Sequence, residues 1–371
     1  MNTLGDKVNK FFTLGFLVQN YDHEPIYLTN IADRAKLYGI KCVMFKPEDV
    51  QFESFETKGK SFNPFRKAWE SDYFPLPPFI YDRCFYRNGI DFEKTKKLVK
   101  QLKKYGHILF LNYGLPDKWS LYCVLKNTNI KPFLPDTYLV RNSEEVTDYV
   151  KQNKCCILKP VTGAGGTGIV AVFYYKEQFL LKYIIQNKQK VRIFFQHNNM
   201  KQFMNHLLKK NAYLLQPLLP LRNKKNEPFD IRIFIQKNFI GNWVIQGIGV
   251  RVGEKNTFVS NLAKGAKVLS FNKWLKKKHL TLQDKIVKDM KQMINTLLPI
   301  LDEHYSPLFE IGLDIGFDPK KEKLWILDIN SKPGRKIVLQ TNPSLETQLY
   351  DAPLLYAQYL FNLKLRKDGT I

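Results

Sequence analysis

The sequence predicts an α/β protein of two or three packed lobes, and three observations lead to that class. The chain of 371 residues is longer than one small core requires. Residues 1–115 alternate strand-like and helix-like stretches, the βαβ rhythm of a small parallel lobe. From Cys155 onward strand-like runs dominate, broken by a few amphipathic helical ones.

Element by element, Phe12–Val18 reads as a buried first strand. No small-residue cleavage site follows it, so a signal peptide is not expected. Asn30–Tyr38 reads as a helix ending at Gly39, and Ile40–Phe45 as a second strand. A polar stretch with Pro75, Pro77 and Pro78 precedes a short strand at Phe79–Tyr81. Phe92–Tyr105 carries Leu98, Val99 and Leu102 at helical spacing, and His107–Asn112 is extended. A further helix is expected around Asp117–Thr128, followed by the breaker Pro132-Phe133-Leu134-Pro135 and a capped helix start at Asn142-Ser143-Glu144-Glu145. Helices are expected near Tyr175–Gln186, at Met200–Lys209 and at Leu282–Leu298, the last with Ile286, Met290, Met293 and Leu297 on one face. A hairpin at 309–330 and a helical tail at Leu345–Leu363, bent near Pro353, complete the chain.

Composition narrows the class. A hydrophobic fraction of 44% suits a folded protein, and no apolar run approaches the ~20 residues that span a bilayer. Five scattered cysteines (Cys42, Cys84, Cys123, Cys155, Cys156) form no CxxC pair and suggest reduced thiols in a cytoplasmic protein. The six histidines stand apart from them, which argues against zinc. The net charge of +24 is carried mainly by lysine. A solvated surface explains it, as does attraction to an anionic substrate or an acidic partner. No zinc finger, basic zipper or RNP signature accompanies it, so a nucleic-acid partner has only charge in its favour.

The densest glycine cluster is Lys159-Pro160-Val161-Thr162-Gly163-Ala164-Gly165-Gly166-Thr167-Gly168. Gly163-x-Gly165-x-x-Gly168 fits a dinucleotide fingerprint in form. That motif needs a following helix and a carboxylate ~20 residues on. Here the β-branched run Ile169-Val170-Ala171-Val172 follows, and residues 182–184 read Lys-Tyr-Ile. A P-loop would need Gly-Lys-Ser/Thr at the end of this loop, where Gly168-Ile169 stands, and a protein kinase would need His-Arg-Asp and Asp-Phe-Gly, neither of which occurs. The remaining reading is a strand–loop–strand flap whose backbone N–H groups approach phosphates, with Lys159 reaching the same anion.

Farther on, Phe309–Phe317 and Leu324–Asn330 alternate with period two around the turn Asp318–Lys323. Asp328 and Asn330 share a face. With the turn centred on Lys321, Asp314 lies across from Asp328, and a one-residue slip would separate them. Two facing carboxylates repel unless a cation intervenes, and two carboxylates with an amide oxygen form a hard-ligand set suited to Mg²⁺ beside nucleotide phosphates.

Together these residues resemble the ATP-grasp superfamily, and within it the YheC/YheD-type family associated with endospore coats. The matching segments are Trp325–Arg335, Lys159 with the glycine loop, Asp230-Ile231-Arg232, and Arg251 followed by Ser260–Ala266. The resemblance implies a small N-terminal α/β lobe (1–115), a linker helix and central lobe with the glycine flap (116–215), and a C-terminal lobe with the metal hairpin (216–371), the last two clasping ATP. It places Lys118, Lys159, Gly163, Gly165, Gly166, Gly168, Leu215, Gln216 and Asp230 around ATP. It places Arg232, Arg251 and Asn261 at the γ-phosphate, and Asp314, Asp328 and Asn330 on Mg²⁺. Asp328 stands where the family pattern has glutamate, and Gly265-Ala266 where Gly-Gly is common. Arg335 is the candidate contact for a substrate carboxylate. The implied activity joins a carboxylate to an amine, small-molecule or peptide, through an acyl-phosphate in the cytoplasm or in association with the spore coat. The alternative is a coat protein that binds nucleotide without turnover.

Overall fold

The computed structural model describes residues 12–85, 90–163, 165–185, 188–255, 257 and 267–367. Near the N-terminus, β1 (Phe12–Leu17) is flanked in parallel by β2 (Ile40–Gln51) and β5 (Phe79–Asp82), with β6 (Leu109–Phe110) beyond β5. Parallel neighbours need crossovers, which here carry α1 (Pro25–Ala35) and α2 (Ile90–Leu102). The helix expected from Asn30 begins five residues earlier, with Pro25 in the first turn, where its missing N–H costs nothing. After a 3-10 turn, Gly39 ends it with a φ of 66°.

The polar stretch before Pro75 is not a loop. It forms β3 (Glu56–Asn63) and β4 (Ala68–Pro75), an antiparallel extension of β2 that gives the sheet order β4-β3-β2-β1-β5-β6. Its exposed positions mix Lys58, Glu70 and Ser71 with Ala68, Tyr73 and Pro75, so hydrophobic alternation could not reveal it.

After the linker helix α3 (Lys118–Leu125) comes a wholly antiparallel sheet of β7 (Tyr138–Val140), β8 (Cys155–Pro160), β9 (Val170–Tyr175), β10 (Gln178–Ile185), β11 (Lys188–Phe194) and β12 (Tyr213–Gln216). Its order is β11-β10-β9-β8-β12-β7. Two helices, α4 (Ser143–Asn153) and α5 (His197–Lys210), bury Val146, Val150, Met200 and Met204 against Cys156, Leu158, Val170, Val172, Phe179 and Leu181. Asn142 caps α4 by accepting from the Glu145 N–H at 3.0 Å, while the Glu145 carboxylate accepts from the Arg141 N–H at 3.0 Å.

The helix expected near Tyr175–Gln186 is instead β10. Lys176 and Glu177 take φ values of 47° and 61°, forming a two-residue turn of the left-handed type that joins β9 to β10. Such turns are usually signalled by Asn-Gly, and Lys-Glu hides this one. In β10, Phe179 and Leu181 face the core, a period of two.

The third sheet is also antiparallel: β13 (Phe229–Lys237), β14 (Trp243–Val252), β15 (Lys267–Ser270), β16 (Glu310–Asp318) and β17 (Lys323–Asn330), in the order β15-β14-β13-β16-β17. After the short α6 (Phe271–Leu275), the amphipathic helix α7 (Leu280–Tyr305) lays Ile286, Met290, Met293 and Leu297 on Ile231, Ile233 and Ile235. That face of the sheet is dry, so the chemistry must lie on the other. There α8 (Lys336–Thr341) packs Ile337 and Val338 on Phe234 and leaves the Asp230–Arg232 end uncovered. The tail helix α9 (Glu346–Lys367) continues through Pro353 and returns to the first sheet. Its Ala352, Leu354, Tyr356 and Ala357 join the core of β1 and α1, and Asp351 pairs with Arg34.

Candidate active site

The uncovered end of the third sheet is a row of charges set by strand register. On β13, Asp230 and Arg232 point one way while Ile231 and Ile233 point into the core. Across from Asp230 on β14 is Arg251; across from Arg232 on β16 is Asp314; across from Asp314 on β17 is Asp328. Directly opposed residues share a face, so one apolar–polar alternation repeated on four strands places the whole row.

The row is ion-paired throughout. Arg251 donates two hydrogen bonds to Asp230, at 2.6 and 2.7 Å. A second interaction runs from Arg251 Nη2 to Asp314 Oδ1 at 2.8 Å, and Arg232 Nη1 meets the same oxygen at 2.6 Å. Burial alone would raise the Asp314 carboxyl, but Arg232 and Arg251 hold it below the ordinary carboxylate range. Burial also disfavours the Arg251 cation, yet Asp314 and Asp230 raise its pKa. The Arg232 guanidinium lies over Gly312, where a Cβ would come within 2.6 Å of Nη2 and 2.7 Å of Pro333, so a side chain there would have to push the guanidinium aside.

Above this row hangs the glycine loop, which joins antiparallel β8 and β9 as the strand–loop–strand reading expects. Gly163, Gly165, Gly166 and Gly168 all take positive φ and line the same cleft. At Gly168 (φ 75°) a Cβ would stand 2.7 Å from Pro160, which excludes a side chain on both counts. Lys118, at the start of α3, donates to the Gly163 carbonyl at 2.6 Å and lies 3.5 Å from Asp328. Asp117 fixes that start by accepting from the Trp119 and Ser120 N–H groups. Lys118 therefore ties the loop to the hairpin.

Lys159, on β8, donates to the Leu327 carbonyl at 3.3 Å. Burial pushes its ammonium down to about 8 against the raising pull of Asp328. Gln216 ends β12 at the cleft and donates to Thr137 Oγ1 at 2.8 Å, whereas the Leu215 side chain packs into the central core. Asn261 lies outside the described residues, as do Ser260 and the residues through Ala266.

Asp328 and Asn330 face the cleft together, with Asn330 Nδ2 3.3 Å from Asp328 Oδ2. Among the described residues no group of three or more His, Cys, Asp or Glu side chains could hold a metal ion. The set here is two carboxylates and an amide oxygen, hard donors that fit a Mg²⁺ shared with nucleotide phosphates better than a protein-only cage. The arginines already neutralise much of the charge on Asp314. Asp328 is thereby left as the more available anion of the set.

Beyond Asn330 the cleft continues toward the N-terminal sheet, reaching a total volume of about 2250 Å³. Arg335 is buried there, stacked 3.3 Å over the Tyr27 ring and paired with Glu24. Glu24 also meets Arg83 at 2.9 Å, and Arg83, fully buried, meets Glu310 at 2.5 Å. Burial would raise the Glu24 carboxyl, but Arg83 and Arg335 hold it low. Nearby, Lys332 and Lys103 share Asp82 at 2.7 and 3.6 Å. Sequence reading selected Arg335 but not Glu24, Arg83, Glu310 or Asp82. For Glu24 a signal existed, since Pro25 marks a helix start beside it. Arg83 and Glu310 are 227 residues apart, and no local pattern joins them.

Comparison with known proteins follows the same lines. A family model described as YheC/D like ATP-grasp matches residues 107–360. Endospore coat-associated protein YheC of Bacillus subtilis (strain 168) is 36% identical over 356 residues, covering 96% of this chain and 98% of that protein. Among solved structures, D-alanyl-alanine synthetase A from Vibrio cholerae O1 biovar eltor str. N16961 superposes with a TM-score of 0.53 at 13% identity, over 93% of this chain and 99% of that one. An ADP complex of purK, the N5-carboxyaminoimidazole ribonucleotide synthetase, gives 0.50 at 10% identity, over 87% and 71%. No helix among the described residues is long and apolar enough to cross a membrane.

Proposed function

Because the chain belongs to the YheC/D-like ATP-grasp family, we propose that it is an ATP- and Mg²⁺-dependent ligase that joins a carboxylate to an amine through an acyl-phosphate. The observation that carries this reading is the charged row Arg251–Asp230–Arg232–Asp314–Asp328 facing a glycine loop across one cleft.

In this reading the loop amides and Lys159 take the ATP phosphates, and Gln216 lies beside the adenine. Arg232 and Arg251, oriented by Asp314 and Asp230, present fixed positive charge where the substrate carboxylate attacks the γ-phosphate. Because their acidic partners already hold them in place, little reorganisation is needed as charge develops. Arg335 receives a substrate carboxylate, and the incoming amine then displaces phosphate to form the amide. Asp314, Asp328 and Asn330 would hold Mg²⁺, which supplies further neutralisation of phosphate charge when bound.

A second reading, a coat-associated protein that binds nucleotide without turnover, draws on the name of the YheC relative and on aspartate at position 328. One experiment separates the two. ADP release is measured with Mg·ATP and a panel of acids and amines, beside calorimetric ATP binding. Binding with release that depends on both acid and amine supports the ligase; binding without release across the panel supports the second reading. Failure to bind ATP overturns both.

A further inference from the structure

Asp328 is the carboxylate that the arginines leave for Mg²⁺, and a lysine already engages it. Lys118 Nζ lies 3.5 Å from Asp328 Oδ1, and among the described residues this is the one ion pair that Asp328 makes. Asn330 Nδ2 meets the other oxygen, Oδ2, at 3.3 Å. Lys159 reaches the same hairpin through the Leu327 carbonyl instead.

Nothing about helix formation asks for a cation at position 118. The residue opens α3, where the helix dipole is positive and favours acids; Asp117, the cap, follows that rule and Lys118 breaks it. Its backbone N–H donates to the Val161 carbonyl at 3.2 Å, and its ammonium to the Gly163 carbonyl at 2.6 Å. Both ends of the residue are thus fastened to the segment that carries the glycine loop, and the charge is held between that loop and the hairpin.

We propose that Lys118 is the exchangeable counter-ion of Asp328: it neutralises the carboxylate before nucleotide arrives and releases it afterwards, so that the metal enters only with nucleotide. The inference rests on the assignment of Asp328 to the metal and adds the order of binding. A divalent cation on this carboxylate and an ammonium 3.5 Å from it repel each other, the more so in a partly buried cleft. Asp314 does not offset that repulsion, because Arg232 and Arg251 both engage its Oδ1. A nucleotide changes the balance. Phosphates under the loop that Lys118 touches offer the ammonium a stronger partner than a carbonyl, and Asp328 is freed as they do so. Metal and nucleotide then assist each other through one side chain, in both directions.

The test uses Mn²⁺ as the probe, titrated into the full chain without nucleotide and followed by loss of the free-ion EPR signal. The wild type should bind it weakly. Lys118→Met and Lys118→Ala, changes at a partly exposed helix start, should each bind it at least ten-fold more tightly. Lys118→Arg keeps the counter-charge and should stay near the wild type, and Lys118→Met/Asp328→Asn should lose the gain. No gain in either neutral variant, a gain shared by Lys118→Arg, or one that survives in the double variant overturns the proposal. The metal assignment is read separately, from Mn²⁺ affinity with a non-hydrolysable ATP analogue present. Asp328→Asn should weaken that affinity, and an unchanged value would overturn the assignment itself. Weakening there without a gain in the neutral Lys118 variants would strike the counter-ion alone.

Discussion

Asp314 stands opposite Asp328 because β17 carries a bulge at Leu327. From Asp318↔Lys323 to Ile315↔Ile326 the hairpin keeps one register, which continued unbroken would set Leu327 against Asp314. The register shifts there by one residue, and Asp314 meets Asp328, Leu313 meets Ile329 and Gly312 meets Asn330. Leu327 and Asp328 both line the cleft, and Ile329 returns to the core. The extra residue also supplies the carbonyl that Lys159 contacts. A defect in the ladder thus places both the carboxylate and the acceptor for the lysine.

Asp328→Asn should abolish Mg²⁺-dependent ADP release and leave folding nearly unchanged. Two arginines already compensate Asp314, so relief of carboxylate repulsion is small. The lost partner, Lys118 at 3.5 Å, is half-exposed and contributes at most about 1 kcal/mol. Thermal melts beside a coupled ADP assay decide this, and a variant with wild-type turnover would remove Asp328 from the mechanism.

Lys159→Ala should weaken ATP binding by about 10- to 100-fold, the loss of one charge-assisted contact of ~1.5–3 kcal/mol. Calorimetry on the folded variant measures it directly. An unchanged Kd would mean that the loop amides hold the phosphates without the lysine.

The same lysine predicts a proton linkage. Its folded pKa of about 8 lies below its ordinary 10.5, so near pH 8 a fraction of empty sites hold it neutral. Phosphate favours the ammonium, so ATP binding should take up as much as ~0.5 proton at pH 8 and almost none at pH 6.5. Titrations in two buffers of different ionisation enthalpy read the uptake, and Lys159→Gln should eliminate it. For the nucleotide-free protein the sign is opposite to that of a salt-bridged lysine. The unfolded chain holds this proton more tightly, so the group's stability penalty fades as pH rises from about 8 toward 10.5.

Arg83→Met should destabilise the fold by about 3–5 kcal/mol, because it strands Glu310 without its buried counter-charge and leaves Glu24 to Arg335 alone. Urea unfolding of the variant gives the number. The double variant Arg83→Met/Glu310→Gln should recover part of it; no recovery would mean that the cost is packing rather than charge.

The α/β class, the helix α7, the glycine flap and the polar face of the Asp328 hairpin were determined by the sequence alone. Each rests on a local period, a glycine cluster or a short motif, and local sterics act between residues near in the chain. Lys159, Asp230, Arg232, Arg251, Asp314, Asp328 and Asn330 could be selected as candidates on motifs and resemblance. Tertiary structure decided what they touch. Asp230 is bound to Arg251 and Asp314 to both arginines because four strands align in one register, and a register includes bulges that alternation does not announce. The β3–β4 and β9–β10 hairpins escaped notice because one lacks a hydrophobic alternation and the other turns on Lys-Glu. Arg83 with Glu310, and α9 in the core of the first sheet, join chain segments more than two hundred residues apart. Burial makes those contacts strong. Distance along the chain hides them from any sequence window.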